Sequence, residues 1–347
     1  MSKKNIDLSK LTEEETLNLR VCELPLSLEG TWLEECVKEL YKELEDKGFY
    51  FKPPCYLADE WLTPDKEPII GVPFFLAHPT LIKLEKKMVL DAEGSNRPWC
   101  MRLLRHETGH AINYAYKLYR RKNWQKVFGK FSKEYEDTYR FRPYSRNFVR
   151  HLEDYYAQYH PDEDFAETFA VWLTPGLEWR TEYKGWKALD KLKYVDELMN
   201  GIKSKEPLVE SGKKYWEASR MRITLKNFYK KKRHSYMENF PDFHDSNLKE
   251  IFVFSESTEQ SLDKKSKEML AATIIKRYKK DILNSVAKWT GEKKHIISEL
   301  LDTIIKRCKD LGLLSNEDRS LVTLKMSAYI TTLVMNYIYT GWLRREK

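Results

Sequence analysis

The segment Arg105-His106-Glu107-Thr108-Gly109-His110 puts two imidazoles four residues apart, with a carboxylate directly after the first. On a helix that spacing sets both rings on one face, about one turn apart, within reach of a single metal ion. Glu107 then projects beside the ion, where it can take a proton from a water at an open coordination position. The pattern therefore points to zinc, one ion per chain, with His106 and His110 as ligands and Glu107 as general base. Its competitor is a pair of structural histidines on one helix. With 8 histidines and 53 acidic residues in the chain, chance alone would produce the pattern with odds of about 3%.

A catalytic zinc site needs a third protein ligand and an open fourth position. One known continuation has Gly three residues and His six residues after the second histidine. Those positions hold Asn113 and Tyr116, so that class is excluded. The other source is a carboxylate on a second helix. Residues 160–170 read His-Pro-Asp-Glu-Asp-Phe-Ala-Glu-Thr-Phe-Ala, and Pro161 suits a first helical turn. Glu163 and Glu167 share one face of that helix, while Phe165, Phe169 and Trp172 occupy another that can enter a core. One carboxylate can ligate the metal, and one a turn away can accept a hydrogen bond from a ligating imidazole. Asp162 and Asp164 read as charges offsetting the helix dipole. His160 reads as a helix-start residue, His78 and His151 lack ligand-spaced partners, and Cys100 reads as core.

These motifs need elements to hold them. The spacing predicts a helix opening on a Thr31/Glu34 capping box, with Leu33, Cys36, Val37, Leu40, Tyr41 and Leu44 as its stripe and Gly48 as its stop. Residues 49–51 and 69–75 read as strands, the second confined to a sheet edge by Pro68 and Pro73. A helix opens at Pro79. The next, from about Arg97 to Arg121, carries the histidines, and another runs from Pro161 to just before Thr174. Beyond about residue 245 the chain reads as helical. Its stripes are Met269, Ile274, Ile275, Tyr278, Ile282, Val286 and then Leu321, Leu324, Tyr329, Leu333, Tyr337.

Several of these segments together resemble a bacterial family of zinc-binding metallopeptidases. They are residues 76–79 (Leu-Ala-His-Pro), 99–102 (Trp-Cys-Met-Arg), 105–111, 142–147 (Arg-Pro-Tyr-Ser-Arg-Asn) and 162–173. The Phe-Ala-Glu-Thr-Phe core, with a glutamate four residues before its central one, is similar to the gluzincin arrangement of the anthrax lethal factor and Pro-Pro endopeptidase group. The resemblance spans roughly residues 50–235. It implies that Glu163 binds zinc and Glu167 supports a ligand from behind. It also implies a tyrosine seven residues before the ligand, Tyr156, that donates to the oxyanion of a tetrahedral intermediate, with Tyr155 and Tyr159 as rivals.

Bulk properties narrow the alternatives. The chain has 347 residues, 41% hydrophobic, enough for one large or two ordinary domains. Five cysteines at scattered spacings argue against a disulfide framework, and the expected compartment is a reducing cytoplasm. No secretory signal and no membrane span is expected; residues 327–342 read as a packed helix. Net charge is +8, densest in the basic run from Lys226 to Arg233 beside Phe228 and Tyr229. That run reads as a solvated helix face, or as a nucleic-acid contact.

The expected fold is α+β, a zincin-like catalytic domain with a small edge-exposed sheet and a mostly helical C-terminal region. The expected divisions are an arm at 1–27, the catalytic domain at 28–245 and the helical region at 246–347. The expected function is zinc-dependent hydrolysis of peptide bonds in a peptide or protein substrate held along the 69–75 edge. The rivals are a zinc amidase on small or modified peptides and a basic nucleic-acid-binding protein with a structural zinc.

Overall fold

The computed structural model describes residues 6–135, 142, 145–152, 155–233, 244–254, 269–315 and 317–340. Backbone contacts divide the chain into two compact units, residues 1–87 with 92–230, and residues 88–91 with 231–347. The fold is mixed and mostly helical, with a small parallel sheet.

The N-terminal segment expected as a loose arm is folded into the first unit. Leu8, Thr16, Val21 and Leu24 are buried. Helix α1 (Glu13–Asn18) starts on a capping box formed by Thr12 and Glu15. Beyond it, Val21 and Cys22 donate backbone hydrogen bonds to Ile223 and Met221. The apolar residues here follow no single period, because a short helix and a 3-10 turn (Val21–Glu23) anchor against a segment two hundred residues away in sequence.

Helix α2 (Trp32–Asp46) buries Leu33, Cys36, Leu40 and Leu44 as expected, and Gly48 closes it at φ 85°. The expected capping box is absent. Glu34 instead accepts from the Gly30 N–H, and the Thr31 hydroxyl donates to Leu28 O. Residues 49–51 form no strand. Phe49 and Phe51 are buried while Tyr50 is exposed, so the alternation is real, but among the described residues no strand pairs with it. The strands are β1 (Cys55–Ala58) and β2 (Ile70–Pro73), parallel, with Cys55 opposite Ile70. All four β2 residues are buried. Its second edge is taken at Gly71 by an antiparallel bridge from Leu62, so the edge expected to dock a peptide is occupied by the chain itself.

After α3 (Pro79–Met88) comes α4 (Arg97–Ala115), which starts with the Asn96 side chain accepting from the Trp99 N–H. It ends six residues, nearly two turns, before the expected Arg121, because Lys117 adopts the left-handed conformation at φ 48° and ends the run. Helix α5 (Lys122–Phe128) leads to α6 (Pro161–Leu173), every residue of which is buried. The Phe165 ring meets Trp124 and Phe128 at centroid distances of 5.8 and 5.4 Å. Truncating a phenylalanine so enclosed costs about 3–5 kcal/mol. Helices α4 and α6 pack face to face. Gly109 permits this, since a Cβ there would lie 2.7 Å from Ala166 Cα and 2.9 Å from its carbonyl oxygen. The unit is completed by α7 (Trp179–Glu182), α8 (Ala188–Asn200) and the part of α9 (Leu225–Arg233) up to Lys230.

The second unit holds helices Asp245–Ile251, Ala271–Thr290, Lys294–Asp310 and Arg319–Thr340, and an antiparallel pair, Val253–Phe254 with Leu313–Leu314. In the last helix the buried face is Val322, Met326, Ile330, Leu333 and Val334. Leu321 and Leu324, expected in that stripe, are exposed at 41% and 65%. The apolar positions on this helix are dense enough to support two phases, and packing selects the other one. Trp342, at the end of the expected packed helix, lies outside the described residues. Among the described residues no helix is long and apolar enough to cross a membrane.

Candidate metal centre

Helix α4 presents His106 and His110 to α6, which presents Glu163. His106 Nε2, His110 Nε2 and Glu163 Oε2 form a triangle 3.2 Å on every side. All three residues are buried. The opposite ring nitrogens are tied down: His106 Nδ1 is 2.8 Å from Glu167 Oε1, and His110 Nδ1 is 2.9 Å from Asp162 Oδ2. A carboxylate can only accept, so each Nδ1 carries the proton and each Nε2 of a neutral ring turns a lone pair inward. Three lone pairs converging at 3.2 Å repel one another unless a cation lies among them. The donor set therefore fits a metal ion.

The supporting contacts extend outward. Glu167 Oε2 accepts from the backbone N–H groups of Leu152 and His151, at 2.9 and 3.3 Å. Asp162, expected as dipole decoration, is buried and accepts from His110, from Asn113 Nδ2 at 2.7 Å and from the Tyr114 hydroxyl. It is the counterpart of Glu167 for the second histidine. Asp164, read the same way, is also buried, with Lys191 Nζ 2.6 Å away. Burial pushes its carboxyl up to about 7, with Lys191 opposing. Both aspartates sit in the first turn, where a negative charge suits the helix dipole, and each also holds a partner from another helix.

Electrostatics agree with a site built for positive charge. Burial alone would lower the His106 pKa, but its hydrogen bonds to Glu163 and Glu167 outweigh that and push it up to about 9. His110 is likewise raised well above its ordinary value, burial again being overcome by Asp162 and Glu163. The same contacts overcome burial at Glu163 and hold it well below the usual carboxylate range. Without a metal the two imidazoles gather protons beside the ionised Glu163, and a bound cation takes the place of those protons.

Glu107 lies outside the triangle. Its Oε2 accepts from the Thr63 hydroxyl at 2.8 Å. Burial raises its pKa, opposed by His106 and His110. The Tyr156 ring lies 5.5 Å from that of His106, in a turn (Tyr156–Gln158) entered through Tyr155 at φ 57°. Of its rivals, Tyr155 faces Arg150, and Tyr159 lies between Tyr156 and Tyr135 at 6.0 and 5.3 Å.

Two contributors escaped the sequence. Thr63 is one. Tyr135 is the other: its hydroxyl donates to Glu163 Oε1 at 2.9 Å, and its ring stacks on His160 at 4.0 Å. Neither sits in a periodic or spaced motif, and both come from loops. The Tyr135 hydrogen bond leaves Glu163 one free oxygen, the one in the triangle. Tyr135→Phe should therefore weaken affinity for zinc, used as the probe ion, about ten- to a hundredfold in a chelator competition. Unchanged affinity would show that this contact does not hold Glu163.

The remaining sites behave structurally. His160 caps α6, accepting from the Asp162 N–H through Nδ1. His78 caps α3 through Thr80 N. His151 donates to Arg102 O, and burial holds its pKa down at about 4. Cys100 is in the core. On α9 Phe228 and Tyr229 are buried, so they offer no face for stacking on bases. Pro143 and Tyr144, within the 142–147 motif, lie outside the described residues. Comparison with models of protein families, with characterised proteins and with solved structures finds no match to this chain.

Proposed function

We propose that the first unit is a zincin-like hydrolase that cleaves peptide bonds with one zinc held by His106, His110 and Glu163. The observation that carries this is the size of the triangle. Ligands at tetrahedral angles and about 2.0 Å from an ion lie about 3.3 Å apart. The sides measured here are 3.2 Å. The Glu163 carboxylate and two imidazoles are also a ligand set that suits zinc.

Zinc, when bound, supplies Lewis acidity toward a carbonyl oxygen and toward a water. The chain supplies the rest. Glu107 takes the proton from the attacking water and delivers it to the leaving amine, and its buried carboxyl, with a raised pKa, suits both transfers. Tyr156, beside His106, donates a hydrogen bond from its phenol to the developing oxyanion. An extended substrate has an edge to pair with, since Leu62 turns its N–H and C=O to Gly71. The next residue, Thr63, has a backbone N–H and C=O that hold no partner among the described residues. That segment, rather than β2, is the peptide-docking edge.

Zinc-replete protein offered a mixed peptide library together with small modified amides should cleave in a chelator-sensitive way, and zinc should restore cleavage. Cleavage confined to the small amides would reassign the substrate, and no cleavage of either would sink the hydrolase reading. In the same assay Tyr156→Phe should lower kcat about a hundredfold, with KM and zinc content little changed. A silent Tyr156→Phe beside an impaired Tyr159→Phe would move the role to Tyr159.

A further inference from the structure

The geometry points to Thr63 as the positioning residue for Glu107, locked in place through Leu62 and Gly71. This rests on the reading of Glu107 as the base, and it names what aims that base. The Thr63 hydroxyl lies 2.8 Å from Glu107 Oε2 and 3.1 Å from the Glu107 carbonyl oxygen. A hydroxyl has one proton, and the nearer, charged oxygen takes it. No other hydrogen-bond donor to the Glu107 carboxylate occurs among the described residues, so this bond alone fixes how the carboxylate is turned about its last torsion.

The position of Thr63 is itself determined. Gly71 N–H donates to Leu62 O at 2.7 Å, and Leu62 N–H donates to Gly71 O at 3.3 Å, which pins the backbone one residue before Thr63 to β2. The Leu62 side chain lies over the bare Cα of Gly71. A Cβ there would come 2.3 Å from Leu62 Cδ2 and 2.9 Å from Ala58 Cβ. Gly71 thus sets the depth at which Leu62 sits, and Leu62 sets how close the Thr63 hydroxyl comes to α4. Backbone alternation at a bridge turns the polar groups of Leu62 toward β2 and those of Thr63 away from it. One residue therefore carries a backbone edge turned away from β2 and steers the base with its side chain.

The test uses the zinc-loaded full chain and four variants. Thr63→Val keeps the side-chain shape and removes the donor, and Thr63→Ser restores a donor. Thr63→Ala replaces the valine variant if that one folds poorly, and Glu107→Gln is the control for the underlying reading. On a peptide that the unaltered protein cleaves, Thr63→Val should lower kcat about ten- to a hundredfold with KM and zinc content unchanged, and Thr63→Ser should recover most of it. A crystal structure of the zinc-loaded valine variant should show the Glu107 carboxylate rotated. A carboxylate in its original orientation, or an unchanged kcat beside an inactive Glu107→Gln, overturns the role of Thr63 and leaves the hydrolase intact. Normal turnover by Glu107→Gln removes the base itself and the role of Thr63 with it.

Discussion

Alanine at His106 or at His110 is expected to reduce bound zinc from one equivalent per chain to none that survives dialysis. Each substitution leaves two ligands where three are needed. It also removes one of the hydrogen-bond partners of a buried carboxylate, Glu167 in the first case and Asp162 in the second. Losing such a supporting contact alone costs up to about a hundredfold in metal affinity, so losing the ligand it orients should cost more. Metal analysis of the dialysed variants checks this, and full occupancy in the double variant would remove the assignment. A pH dependence follows with a definite sign. In the metal-free chain His106 titrates at about 9 instead of 6.5, so its protonated form stabilises the fold fully below about 6.5. That contribution is lost as pH rises through about 9. The melting temperature of chelated protein should therefore fall across this interval. Zinc affinity should climb across it, because protons and the ion compete for the same Nε2.

Glu107→Gln should leave zinc in place and lower turnover by about a hundred- to ten-thousandfold. The amide preserves the shape of the side chain and can still accept from Thr63, but it cannot hold a proton in transit. Because burial lifts the Glu107 carboxyl, the acid limb of the unaltered protein's rate profile should lie above the ordinary carboxylate range. Turnover equal to that of the unaltered protein would take the base role from Glu107. Loss of zinc would instead place Glu107 among the ligands, although it lies outside the three-atom cluster.

What the sequence disclosed about this site depended on how local each relation is. His106, Glu107 and His110 share one helix, and Glu163 and Glu167 share another, so helical spacing alone brings each set onto a face. Asp162 shares that second helix too, but an acid in a first turn has an ordinary electrostatic role there. Only the tertiary approach of α4 reveals His110 beside it. Thr63 and Tyr135 act 44 and 28 residues from the glutamates they touch, through loops without periodicity. The fold shows the same limit. Helices α2 and α6 followed from their stripes and stops, while residues 49–51 alternate like a strand and find no strand to pair with among the described residues. The first two dozen residues looked unattached because their partner segment, near residue 223, is remote in sequence.

The bare Cα of Gly109 against Ala166 has a consequence for which ions the centre can hold. Side chains yield by changing rotamer, but two backbones in contact have no such freedom, and close-packed interiors resist being spread. The separation of α4 and α6 is thus a fixed dimension, and the distance from the histidines to Glu163 is inherited from it. On the proposed zinc reading, an ion larger than zinc would have to stretch ligands that Asp162, Glu167 and Tyr135 hold from behind, rather than part the helices. The centre should then discriminate by ionic radius. Affinity orders for divalent metals are set mainly by ligand chemistry, and proteins achieve selectivity by imposing geometry. Here a single missing methyl group imposes it.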